Sequence, residues 1–461
     1  MKKNASSKYK LWLLVGLVVL AVVPSIWIIV SRLEGQPPAI TIEPTILSIG
    51  ETQTLTFTLG DKSGIRKVRV DLVQDGKSVV LVEKEFPSAG FGRKGAVLQE
   101  SFEIQVEPKK MGFSDGRSVL QSVARDYSWR DWFRGNSNYI EKPVLIDTRP
   151  PGIDVLTRMN YVNQGGCGLV LYQLSESCPE SGVRVGNNFF PGYSGYLDDA
   201  DTYVAFFAIS HEQGPDTPIL IEAVDRAGNT SRSGFPHVIR KKTFRKDRLS
   251  ISDGFLHMKM PEFHLEVPGN PSPTNLEKYL FVNSNLRDAN NEKILSITKS
   301  SENTMLWEGP FLRFPNSAPR AGFADFREYY YKGKKIDEQV HMGVDLASLE
   351  NSPVPAGNTG KVVYADAIGI YGKTVIIDHG LGLFSMYSHL SYIGVTVGDR
   401  VEKGDIIGKS GVTGLAAGDH LHYSVLVHNT FVNPIEWWDH HWITDNITRK
   451  IAKVKSGLNQ E

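Results

Sequence analysis

Residues 420–427 read HLHYSVLV, and this octet limits the fold more than any other stretch of the 461-residue chain. In a strand alternate side chains share a face, so His420, His422 and Ser424 fall on one side. Leu421, Tyr423, Val425 and Val427 fall on the other, the side expected to cover a core. Two imidazoles then project together from a rigid element, which suits a metal ligand held beside a proton donor. Upstream, HMGVDLAS sets His341 and Asp345 four apart around a glycine. LFSMYSHLS carries His389 to the end of another short strand, with the face of Tyr387 expected for it.

Four histidines and an aspartate within 341–427 match what a mononuclear zinc site requires. Catalytic zinc takes three protein ligands and keeps one position for water. His341, Asp345 and one histidine of the HLH pair supply the three, and two histidines remain for moving protons or stabilising an oxyanion. His379, His428, His440 and His441 are read as ordinary core or surface residues.

These blocks resemble the lysostaphin-like (LytM-type, M23) zinc metallopeptidases that cut peptidoglycan cross-links. The resemblance covers residues 314–434: HMGVD is similar to the first ligand motif, GKVVYA and YGKTVIIDHG to the strands that follow, and MYSHLS to the strand of the catalytic histidine. VTVGDRVEKGDIIGKSGVTG is similar to the turn-rich approach to HLH. It implies His341, Asp345 and His422 as zinc ligands, His389 and His420 as the catalytic pair, and an antiparallel-sheet domain acting on peptidoglycan peptide stems. Ser424, Tyr423 and Asp419 stand where the family often has glutamate, phenylalanine and proline, and 349–352 looks like a small insertion. The same VGDRVEKGDIIGKSG stretch also resembles swinging-arm carrier barrels, but it lacks their lysine-bearing hairpin and is read as scaffold.

Residues 11–30 contain no charge and would span about 30 Å as a helix, enough to cross a bilayer. Lys2, Lys3, Lys8 and Lys10 precede the run, which orients the remainder of the chain outward from the cytoplasmic membrane. No small-x-small cleavage pattern follows in SRLEGQ, so residues 1–35 are read as an uncleaved anchor rather than a signal peptide. The catalytic domain is then periplasmic or otherwise extracytoplasmic.

A chain this long, 41% hydrophobic, exceeds one ordinary domain. Its 51 basic and 51 acidic residues balance, which argues against a nucleic-acid partner. Short alternating runs such as LTFTL and KVRVDLV, broken by DKSG and QDGK, predict antiparallel sandwiches. PPAITIEP and PPGIDVLT form a weak repeat, giving two immunoglobulin-like domains at 36–149 and 150–242. Cys167 and Cys178, both in the second, are expected to form a disulfide in an exported chain.

Residues 243–309 are expected as a partly helical linker, with Thr274 and Glu277 as a capping box and Leu276, Tyr279, Leu280 and Leu286 as a helical stripe. Its default role is packing on the catalytic domain, and the alternative is that this segment or a sandwich covers the zinc cleft and restrains activity. Arg327 and Tyr329, Tyr330 and Tyr331 are either groove-lining or plain sheet residues. The peptidase domain spans 310–445, its aromatic NPIEWWDHHWITDNI end packs as a cap, and 446–461 is a loose polar tail. The fold expected is therefore mainly β, and the function a membrane-anchored zinc endopeptidase of the bacterial wall. The alternative is a catalytically silent relative that activates another wall hydrolase. A regulatory partner is left open.

Overall fold

The computed structural model describes residues 5–45, 47–90 and 95–458. Lys2 and Lys3 of the expected anchor, and the last three residues of the expected tail, lie outside them. The opening apolar run forms one α-helix, Ala5–Arg32, whose Tyr9–Val30 stretch of 22 residues is long and apolar enough to cross a membrane. At 1.5 Å per residue that stretch is about 33 Å long. None of it is buried against protein.

Two compact units make up the chain, Met1–Pro150 with Asp225–Asn229, and Pro151–Val224 with Thr230–Glu461. In the first, a three-stranded sheet orders Ala39–Glu43, Gln53–Gly60 and Gln99–Val106. A five-stranded sheet orders Leu47–Ile49, Ser137–Ile146, Gly116–Asp126, Ile65–Gln74 and Lys77–Glu85. The LTFTL alternation sends Leu55, Phe57 and Leu59 inward while the threonines stay at the outer face. They join Val68, Val70, Leu72 and Leu120 of the other sheet in one apolar cluster.

In the second unit, eight of the nine strands within residues 153–234 form two four-stranded sheets, and the ninth, Asn160–Asn163, pairs in parallel with His237–Arg240. Cys167–Leu174 and Thr202–Ala208 have almost no exposed residue on either face. A strand of an isolated sandwich would show solvent on one side, and these do not because the C-terminal domain covers it. Phe206 packs its ring 6.0 Å from that of Trp437, and a single apolar cluster runs from Val162 to Val454. Polar contacts cross as well: Asn163 Nδ2 donates to Glu436 Oε1 at 2.7 Å, and Lys450 Nζ to Asn160 Oδ1 at 2.6 Å.

The expected disulfide is not formed: Cys167 and Cys178 are both buried thiols. Cys167 opens the strand Cys167–Leu174 and Cys178 follows the turn at its far end. An eight-residue strand spans about 26 Å, whereas a disulfide needs Cα atoms within about 7 Å.

The residues expected as a linker pack as a wall on the C-terminal domain. Lys246–Ile251 adds in parallel to the strand Phe326–Tyr331, which pairs antiparallel with Lys334–Val340. Three helices follow, Asp253–Lys259, Asn275–Phe281 and Arg287–Ile297. The second starts with the anticipated box: Thr274 Oγ1 accepts from Glu277 N–H, and Glu277 Oε2 accepts from Thr274 N–H at 2.8 Å. The main sheet is antiparallel throughout its length, ordered Ala318–Ala321, Val344–Ala347, Leu421–Val427, Leu383–Leu390, Gly372–Gly380, Gly360–Ile368 and Arg400–Val401.

Trp437, fully buried, is ringed by Trp307, Phe311 and Trp442 at 5.4–5.5 Å, so the aromatic end is a cap on the domain. The tail expected to be loose is instead the helix Arg449–Leu458, and the chain is anchored just before it by buried Ile447. Ile447, Ile451, Val454 and Leu458 recur at helical spacing and face the core, a stripe hidden in the sequence among lysines and arginines.

Candidate functional site

Strand register assembles the site. In the antiparallel pairing of Val344–Ala347 with Leu421–Val427, Asp345 stands directly opposite His422, and His341 is four residues before Asp345 at the end of the preceding strand. Gly343 makes the approach close enough: a Cβ there would meet Ser424 Oγ at 2.5 Å and His422 Nε2 at 2.7 Å. Asp345 Oδ1 lies 2.9 Å from His341 Nε2 and 2.9 Å from His422 Nδ1, and those two nitrogens are 3.0 Å apart.

The outer partners of these rings decide what the inner atoms offer. His341 Nδ1 faces the carbonyl of Gly322 at 2.8 Å, an acceptor only, so that nitrogen carries the proton and Nε2 is bare. Ser424 Oγ donates to the carbonyl of Met342 at 2.8 Å and so accepts from His422 Nε2 at 3.0 Å, leaving His422 Nδ1 bare. Two imidazole nitrogens and a carboxylate oxygen, all buried, thus converge within hydrogen-bond distance of one another. With both rings neutral their inner lone pairs are open to a cation, and two imidazoles with one carboxylate suit zinc. Asp345 Oδ2 is meanwhile bound by Arg327 Nη2 at 2.8 Å, which makes Arg327 a site residue rather than a plain sheet residue.

His389 and His420 stand beside this trio with ring centroids 4.8 Å apart, and His389 is 5.8 Å from His422. His389 Nδ1 donates to the carbonyl of Thr413 at 2.9 Å and His420 Nδ1 to that of Gly418 at 2.8 Å, so both keep Nε2 for proton traffic. His420 Nε2 is 3.6 Å from Asp345 Oδ1.

The expectation that His389 shares a face with Tyr387 is corrected. The pairing of Gly372–Gly380 with Leu383–Leu390 matches Val375 to Tyr387 but Lys373 to Leu390, so one extra residue bulges from the second strand. His389 takes φ 62° at this bulge and turns toward His420. Tyr387 packs on Tyr423 on the opposite, apolar face, as the alternation of 421–427 foresees for Tyr423.

Burial drives His389 well below the ordinary imidazole range, with the charges of His420 and His422 adding to it. For His420 burial works in the same direction, but the hydrogen bond and charge of Asp345 outweigh it and the pKa is raised. Burial would raise Asp345, yet His341, His420 and His422 hold it well below the usual carboxylate range. Burial brings His422 down to about 4. The two histidines outside the trio are therefore pushed apart, one toward base and one toward acid.

A cavity of about 530 Å³ opens over these groups. One wall comes from residues 246–287, including Leu249, Phe255 and Tyr279, and another from Ile370, Tyr371 and Leu415. Tyr371, 5.5 Å from the His422 ring, was not singled out from the sequence, nor were Arg287 and Arg320. The carbonyls of Gly322, Thr413 and Gly418 carry no side-chain signal at all. His379 lies elsewhere, between the carbonyl of Thr359 and Ser385 Oγ, and His428 stacks on Tyr193, so both are core residues.

Residues 339–434 match the profile of peptidase family M23. The chain carries an M23 peptidase domain. The M23 stretch is 36% identical over 97 residues to the DD-carboxypeptidase/endopeptidase Mpg of Neisseria meningitidis, 21% of this chain and 22% of that protein. It is 38% identical over 96 residues to the peptidoglycan DD-endopeptidase ShyA of Vibrio cholerae, again 21% of this chain and 22% of that one. The chain thus spans about a fifth of the length of these curated relatives. Among solved structures, the catalytic domain of lysostaphin from Staphylococcus simulans is 32% identical, covering 26% of this chain and 90% of that one with a TM-score of 0.23. All five histidine and aspartate positions of the site fall inside the M23 match.

Proposed function

We propose that this protein is a membrane-anchored zinc endopeptidase that hydrolyses peptide cross-links of bacterial peptidoglycan. The observation that carries the reading is the buried convergence of His341 Nε2, His422 Nδ1 and Asp345 Oδ1 within 3.0 Å of one another, with two further histidines beside them. Mpg is named a DD-carboxypeptidase/endopeptidase and ShyA a peptidoglycan DD-endopeptidase, which supports the substrate class. The apolar helix Ala5–Arg32 supports an anchor in the cytoplasmic membrane, with both folded units on the extracytoplasmic side.

His341, Asp345 and His422 would hold the zinc, which when bound supplies Lewis acidity for attack of water on an amide. His389, kept neutral by burial, takes a proton from the attacking water at Nε2. His420, drawn toward its charged form by Asp345, donates from Nε2 to the oxygen on which charge develops and then to the departing amine. The carbonyls of Thr413 and Gly418 fix both rings so that the two Nε2 atoms face one substrate. Tyr371 and the wall built by residues 246–287 narrow the access of bulk water.

The test is zinc content together with release of soluble muropeptides from purified peptidoglycan by the full-length protein in detergent, beside His422→Ala and His389→Ala. Zinc lost only in the first variant and fragments lost in both is the expected result. A zinc-loaded wild-type protein that releases nothing from several wall types overturns the hydrolase reading and favours a binding or activating role.

A further inference from the structure

The cavity over the histidines is uneven in charge. Arg287, Arg320 and Arg327 line it, against the carboxylates of Asp247 and Asp345. Both carboxylates are already engaged: Asp345 Oδ2 by Arg327 at 2.8 Å, and Asp247 Oδ2 by Arg245 Nη2 at 2.8 Å. Among the described residues neither Arg287 nor Arg320 forms an ion pair, so two cations line the cavity without a counter-charge.

Arg287 is not a loose surface arginine. Its Nε donates to the carbonyl of Asn283 at 2.9 Å and its Nη2 to Asn283 Oδ1 at 2.6 Å. Asn283, fully buried, is fixed in turn by donating to Asp337 Oδ2 at 2.7 Å. This chain of bonds sits in a wide, π-type helical turn at Val282–Leu286, an irregularity that recurs at functional sites. The remaining N–H groups of the fork are thereby pre-oriented, which lowers the entropy lost on gripping an anion. Tyr371 lines the same cavity, and burial pushes its phenol up to about 12 against the opposing pull of Arg287 and Arg327. Arg320, by contrast, is exposed at the end of the edge strand Ala318–Ala321, free to swing onto a ligand. None of the three arginines lies in the matched residues 339–434.

We propose that Arg287 and Arg320 form an anion subsite that takes a free carboxylate of the substrate peptide. Resting on the peptidase reading above, this assigns the substrate class as acidic stem peptides, those with a side-chain or terminal carboxylate close to the scissile bond, in preference to neutral bridges such as oligoglycine. A guanidinium fork and a carboxylate match in geometry as well as charge.

Binding of a fluorescent stem tetrapeptide containing diaminopimelate, and of the same peptide with its carboxylates amidated, tests this with zinc-loaded full-length protein in detergent. The wild type is expected to bind the acidic form about tenfold tighter or more. Arg320→Gln, an exposed position, and Arg287→Gln each reduce that preference while zinc content stays unchanged, and Arg287→Lys restores part of it. Equal or undetectable binding of the two peptides by the wild type, or an undiminished preference in both glutamine variants, overturns the subsite. Turnover is read separately: a protein that prefers the acidic peptide yet cleaves no wall sinks the hydrolase reading and leaves the subsite standing.

Discussion

His341 Nε2 and His422 Nδ1 stand 3.0 Å apart, and each lies 2.9 Å from Asp345 Oδ1. Their outward nitrogens are engaged by the Gly322 carbonyl and Ser424 Oγ, so with both rings neutral the inner lone pairs turn to one shared point that a cation can fill. His422→Ala or Asp345→Asn should reduce bound zinc from about one per chain to a small fraction, measured by elemental analysis of dialysed protein. Ser424→Ala removes only the orienting bond, and zinc affinity should fall roughly 10- to 100-fold in chelator competition.

Gly343 has a narrower role than its place between two ligands suggests. Alanine there drives a methyl into His422 and Ser424, so Gly343→Ala should weaken zinc by about tenfold or more while leaving the circular dichroism spectrum unchanged. Wild-type affinity in this variant would show that the His422 ring can shift without consequence.

His389 and His420 are expected to affect turnover but not metal. Replacing either by alanine should lower the rate constant by about 100- to 10,000-fold with zinc content unchanged. Thr413→Ala should cost far less, because His389 is held by the Thr413 backbone carbonyl rather than its side chain.

Buried Glu436 gives the second unit a pH dependence. Burial pushes its carboxyl up to about 7 from an ordinary 4.5, so between those values the folded chain keeps a proton that the unfolded chain has lost. Stability therefore falls as pH rises through this window, by about 3 kcal/mol at most. Lys450, lowered by burial to about 8, stays charged below it and adds little slope there. Melting of the full-length protein from pH 5 to pH 8 should show the decline, and Glu436→Gln should flatten it.

The site was legible in the sequence because its chemistry sits on strands. Period-two alternation is enough to put His422 opposite the apolar face of Tyr423, and four-residue spacing brings His341 to Asp345. His389 was found as a residue but misplaced, since a bulge is a property of two paired strands and one strand cannot display it. Residues 243–309 were open to reading as a cover over the cleft, but how they build its wall was hidden for a related reason. Lys246–Ile251 becomes a strand by pairing with residues eighty positions later, and Arg287 reaches the cavity only through Asn283 and its helical turn. The tail helix hid because its apolar stripe is diluted by cations.

The shared core of the second unit bears on how this domain can be handled in isolation. With Phe206 against Trp437 and Lys450 reaching Asn160, the peptidase domain is not a bead on a string. A protease that nicked the chain near residue 240 would leave two pieces still clasped together, and a recombinant fragment begun at residue 300 would present Trp437 and its neighbours to water as a sticky patch. A fragment meant to keep that core whole therefore starts at Pro151.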